Sequence, residues 1–168
     1  MAEKILSHQL ITGLSFGLTT AVITSLGILV GLWAATSSKL AVLAGIIIMA
    51  IADGLSDAIS LHTVEEAEIE KGKIKHTKKE IWLTTLFTFL TISGFSLTFA
   101  IPVLIFPLKT AILIAIFWGI FLLTCLNFYI AKIRKEKPLK LISEHIFLAL
   151  FVIFVSHLIG SQIPKIVE

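Results

Sequence analysis

The sequence predicts an all-α integral membrane protein: one domain, residues 1–168, folded as a bundle of five transmembrane helices with its N-terminus in the cytoplasm. Three observations predict it. The first is composition. Of 168 residues, 57% are hydrophobic and 15% charged, and mean hydropathy is +0.99. A soluble domain has about 45–50% apolar and about 25% charged residues. The second is length: five apolar stretches each reach the ~20 residues needed to cross a bilayer. The third is where the charge falls. Lys4, Lys71, Lys73, Lys75, Lys78, Lys79, Lys132, Arg134, Lys135, Lys137 and Lys140 lie at one side of the alternating spans. Only Lys39, Lys109 and Lys165 lie at the other. Eleven against three places the richer side in the cytoplasm.

The first helix is expected over about 10–35. It is too long for the ~7–15-residue core of a signal sequence, so it reads as a span that stays. Gly27 and Gly31 give it a small-xxx-small spacing that permits close helix contact. Thr36-Ser37-Ser38-Lys39 turns tightly into the second helix, about 40–63. A charged connection follows, from Glu65 to Glu80. The third helix is expected over 81–102, with Pro102 as its end and Phe106-Pro107 as the turn beyond. The fourth runs over about 108–131 and carries Asn127, expected to hydrogen-bond across helices. The basic connection Lys132–Lys140 leads to the fifth, about 141–163. Trp33 and Trp82 suit interfacial belts.

The charges inside the second helix carry the functional signal. It reads Ile51-Ala52-Asp53-Gly54-Leu55-Ser56-Asp57. A carboxylate within a span is costly and rare, and therefore a candidate functional residue. Asp53 is thirteen residues past Leu40, or roughly 20 Å along a helix crossing a core ~30 Å thick. Met49, Asp53, Ser56, Asp57 and Ser60 share one stripe. Carboxylates suit hard cations, and a thioether shifts the preference toward later transition metals. Met49, Asp53 and Asp57 are thus candidate metal ligands. The alternative reading of Asp53 is a protonated or hydrogen-bonded structural residue. Beyond the stripe comes Leu61-His62-Thr63-Val64-Glu65-Glu66. His62 and Glu66, at i, i+4, reach one ion if the helix continues into the cytoplasm, and Glu65 lies beside them. An ordinary solvated helix end is the competing reading.

No nucleophile elbow, phosphate loop, CxxC or HExxH is present, so no enzyme is expected, nor a cofactor or nucleic-acid partner. Cys125 stands alone within an apolar segment. The expected partners are the lipid bilayer, a divalent metal ion and a second copy of the chain.

On these residues the chain resembles the vacuolar iron transporter family. Phe16-Gly17, then Thr24-Ser25-Leu26-Gly27-Ile28-Leu29-Val30-Gly31, is similar to that family's first helix. Ala41-Val42-Leu43-Ala44-Gly45 and the polar stretch running into an acidic segment are similar to its second. Thr84 to Pro102 resembles the third and His145 to Gly160 the fifth. The resemblance implies export of Fe²⁺ or Mn²⁺ from the cytoplasm in exchange for protons, by a dimer whose pore is lined by helices one and two. It also implies a cell membrane in a prokaryote or a vacuolar-type membrane in a eukaryote. Two departures bear on this. Thr19-Thr20-Ala21 stands where the family has Asn-Asp-Gly, whose acid lines the pore, and the cytoplasmic segment spans only about sixteen residues. Asp53 and Asp57 occupy positions where the family carries mostly small residues. The expectation is therefore a divalent metal exporter in which these acids replace the missing one, dimerised through Gly27, Gly31 and the Asp53 stripe. A helical scaffold or assembly protein, or a proton-coupled carrier of a small solute, are the alternatives.

Overall fold

The computed structural model of the chain describes the backbone of residues 2–70 and 77–167, and the side chains of 11–67 and 77–167. Lys4, Lys71, Lys73 and Lys75, part of the charge pattern above, have side chains outside the described residues. Six helices follow in order: α1 (Ala2–Thr36), α2 (Lys39–Glu70), α3 (Lys78–Thr98), α4 (Ala100–Ile105), α5 (Leu108–Arg134) and α6 (Pro138–Val167). Five stretches are long and apolar enough to cross a membrane: Ile11–Thr36, Lys39–Ala67, Lys78–Ile105, Leu108–Arg134 and Pro138–Val167. The all-α bundle is as the composition predicts, with most helices longer than their apolar cores.

The ends are set by local chemistry. Ser37 takes the left-handed conformation, φ 50°, and its N–H bonds the Trp33 carbonyl at 2.9 Å, closing α1. Ser38 Oγ then accepts from the Ala41 N–H at 3.2 Å and starts α2. A capping box starts α3: Glu80 Oε2 accepts from the Thr77 N–H at 2.8 Å, and Thr77 Oγ1 from the Glu80 N–H. Lys135, at φ 55°, ends α5.

Pro102 does not end the third span. The helix breaks earlier, at Thr98–Phe99, and α4 carries the span on to Ile105 with Pro102 in its first turn. A proline cannot donate to the carbonyl four residues upstream and its ring crowds that carbonyl. For Pro102 that residue is Thr98. In the first turn of a new helix the missing N–H has no intrahelical partner to lose.

α1 is the central helix and packs against α2, α3, α5 and α6. In a bilayer, lipid tails are as apolar as the side chains, so close backbone approach and dispersion hold helices together. Glycines supply the approach. A Cβ on Gly13 would fall 2.9 Å from Phe87 Cβ, and one on Gly17 2.8 Å from Thr91 Cβ, both on α3. Gly27 and Gly31 face α6: a Cβ on Gly27 would meet Val152 Cγ1 at 3.0 Å, and one on Gly31 would meet the Ser156 carbonyl at 3.5 Å. Gly160 of α6 in turn lies directly on the Gly31 carbonyl. This corrects the expected use of that spacing: Gly27 and Gly31 join two helices of one chain, with Ser156 and Gly160 as the matching small pair. The core follows the same helix, through Val22, Leu26 and Leu29 against Val42, Ile46, Phe99, Val103, Ala115 and Leu123.

Candidate functional site

α2 positions every candidate ligand, and α1, α3 and α6 decide what each one faces. Met49 and Asp53, one turn apart, both open into a groove of about 410 Å³ between α1, α2 and α6. Its α1 wall is Thr24, Gly27, Ile28 and Gly31, and its α6 wall includes Ser156 and Gly160. The glycine seam thus makes one side of the groove, because residues without side chains leave space there.

Asp53 is half-buried in this largely apolar groove. Its Oδ2 is buried and has no hydrogen-bond partner in the structure. Thr24 does not fill that role: its hydroxyl donates to the Thr20 carbonyl at 2.7 Å and lies 3.7 Å from Met49 Sδ. A buried carboxyl oxygen without a partner is costly. The groove therefore combines a carboxylate oxygen, a thioether sulfur and a hydroxyl with lone-pair capacity remaining. Asp57, also half-buried, lies one turn beyond Asp53, near enough for mutual repulsion, but does not line the groove.

The Asp53 register is supported from behind. Ser93 Oγ of α3 donates to the Ala50 carbonyl at 2.8 Å, and Gly54 admits it: a Cβ there would fall 2.5 Å from that hydroxyl. Ala50 and Gly54 pack toward α3, which turns Met49 and Asp53 toward α1 and α6.

A second cluster forms where α2 runs on to Glu70. His62 Nε2 is 4.0 Å from Glu66 Oε2, as the i, i+4 spacing predicts. His62 Nδ1 is 2.9 Å from Thr85 Oγ1 of α3, and that hydroxyl donates to the Ile81 carbonyl at 2.9 Å. With its one hydrogen engaged, Thr85 accepts from Nδ1–H. The other ring nitrogen, Nε2, is thereby turned to Glu66. The Trp82 ring packs on the imidazole, centroids 4.5 Å apart. Glu65 is half-buried nearby on the same helix.

No family model, curated protein or solved structure matches this chain.

The six candidate ligands therefore fall into two places: Met49 and Asp53 in the groove, His62 and Glu66 at the helix end, with Asp57 between them and Glu65 beside the latter. Among the described residues, no three His, Cys, Asp or Glu side chains converge on one point. Within one chain, each place therefore brings together at most two of the candidate ligands. Thr24, Ser156, Thr85 and Trp82 carry no mark in the sequence that makes them site residues. Each sits on a different helix from α2, and apolar periodicity does not pair helices. Asn127 departs from expectation too. Its amide donates to the Leu123 carbonyl of its own helix at 2.8 Å, and its Oδ1 has no partner. Bonding back to residue i−4 is the nearest option for a short amide on a helix.

Proposed function

We propose that this chain is a membrane transporter that exports divalent transition-metal ions, Fe²⁺ or Mn²⁺, from the cytoplasm in exchange for protons, working as a homodimer. The observation that carries the reading is the Asp53 carboxyl: a buried oxygen without a partner, at span depth, beside Met49 and Thr24 in a groove. A scaffold residue at that depth would be tied to a Ser or Thr of a neighbouring helix, and Asp53 is not among the hydrogen bonds Thr24 makes. A divalent ion leaving water needs negative charge to offset its lost hydration. The mixed oxygen and sulfur donors suit a first-row transition metal better than Mg²⁺ or Ca²⁺.

In the proposed cycle, His62 and Glu66 capture the ion at the cytoplasmic end, with Thr85 presenting His62 Nε2. The ion passes Asp57 and reaches Asp53 and Met49. A second copy placing its own Asp53 and Asp57 across the two-fold axis completes the coordination that one chain lacks. Close carboxylates do not all stay ionised without a cation. Metal entry then releases protons, and metal exit takes them up, which couples the two fluxes.

The test is flux in proteoliposomes across Fe²⁺, Mn²⁺, Zn²⁺ and Co²⁺ with simultaneous proton detection. Wild type should move Fe²⁺ or Mn²⁺ with opposite proton movement, and Asp53→Asn should move neither. Wild-type flux from Asp53→Asn would reject the assignment.

A further inference from the structure

A second groove, of about 380 Å³, lies on the opposite flank of α1, between α1, α5 and α6. Its lining is ordered by depth. Trp33, Lys109 and His157 lie at the membrane end that carries the α1–α2 and α4–α5 turns, while Val30, Ile116, Leu150 and Ile153 lie further in. From Lys109 to Ile116 the groove descends roughly 10 Å along α5. It therefore has a polar mouth at headgroup level and an apolar trough of acyl-chain depth.

Among the described residues, the mouth has one sign of charge and no internal counter-charge. No Asp or Glu occurs in 17–52, 81–135 or 145–167, which covers this end of every described helix. Lys39, the neighbouring cation, is held by the Leu104 and Phe106 carbonyls at 3.1 and 3.3 Å. Lys109 is exposed and makes no ion pair among the described residues. His157 packs against Trp33, ring centroids 6.0 Å apart, and lines the same groove as that lysine.

We infer that this groove binds one anionic phospholipid of that leaflet, its phosphate at Lys109 and His157 and an acyl chain between α5 and α6. An apolar trough without the cation would accept any lipid, and a cation without the trough would attract only diffuse counter-ions. Their juxtaposition selects a molecule that is both anionic and amphiphilic. The metal path lies on the other side of α1, so the inference does not depend on the transport reading.

The test uses the purified full chain, delipidated in detergent, titrated with dioleoyl phosphatidylglycerol or dioleoyl phosphatidylcholine and read by native mass spectrometry. A single phosphatidylglycerol adduct should bind about fivefold more tightly than phosphatidylcholine, and Lys109→Gln should remove most of that difference. Ile116→Trp, which fills the trough, should weaken both lipids. Lys165→Gln, on the same side but outside the groove, should change nothing. Equal binding of the two lipids, an equal loss from Lys165→Gln, or full competition by soluble glycerol phosphate would each overturn the assignment. Unchanged melting temperatures in the variants exclude misfolding as the cause.

Discussion

Asp53 and His62 show how a side chain on one helix is defined by a neighbour on another. For Asp53, replacement by Asn keeps the volume and hydrogen-bonding capacity and removes the charge. Metal flux should disappear, while the melting temperature in detergent should equal or exceed that of wild type, because no ion pair or hydrogen bond of Oδ2 is lost. A large fall in melting temperature would show instead that the carboxylate holds the bundle together. For His62, the lever is Thr85. Thr85→Val keeps shape and removes the acceptor for Nδ1–H, so the ring is free to turn. Metal affinity at the helix end should fall about tenfold, the low end of the range for losing a partner behind a histidine ligand. In a His62→Ala background, Thr85→Val should have no further effect. Isothermal titration of the four proteins of this cycle checks it, and an additive loss would mean Thr85 acts elsewhere. The rarity of carboxylates in spans makes Asp53 legible in the sequence. Thr85 is not legible there, because seven hydroxyls on that helix look alike until one of them meets a histidine.

At the scale of the helix, the glycines separate two roles. Gly160 lies on the Gly31 carbonyl, with Ala34 Cβ 3.0 Å from where its own Cβ would be. Gly160→Ala must push α6 from α1 and should destabilise the protein by about 1–3 kcal/mol. Gly94 has open space around it, and Gly94→Ala should be neutral or stabilise by about 0.4–1 kcal/mol through the unfolded chain. Thermal melts in one detergent compare them; equal losses would refute the seam. The spacing of Gly27 and Gly31 is readable as a close-contact motif, yet a motif says that something approaches and not what. The partner is α6, more than a hundred residues away. The break at Thr98 has the same character. Pro102 is visible in the sequence, but its steric effect falls on the carbonyl four residues upstream, and Pro102 itself fits the first turn of α4.

For the whole molecule, the exposed part of the α2 stripe is what a second copy would cover. Met49 is buried and Asp53 half-buried, whereas Ser56 and Ser60 on the same stripe are exposed. In the proposed dimer they meet the second copy. A single cysteine at Ser60, in a Cys125→Ser background, should be trapped as a disulfide dimer in membranes by a mild oxidant. Native Cys125, exposed on α5, should give little trapping and serves as a built-in control. Trapping through Cys125 alone would move the two-fold axis to α5 and leave the α2 carboxylates unpaired.

The sequence by itself determined the class of fold, the number of spans, their order and the uneven charge at their ends. Those properties depend on local composition: a stretch is apolar enough to cross a membrane or it is not, and loop lysines carry their positions with them. It also singled out Asp53, since cost at depth is a property of one residue. The tertiary structure alone decided what each helix face meets. A rotation of about 100° per residue tells which side chains share a face, but every apolar face in a membrane protein is compatible with lipid or with several helices. So the pairing of Thr24 with Met49, of Thr85 with His62 and of Gly160 with Gly31 emerged only when the helices were packed. The same packing, by lining one flank of α1 with small residues and the other with Trp33 and Lys109, produced two grooves of different chemistry from one helix.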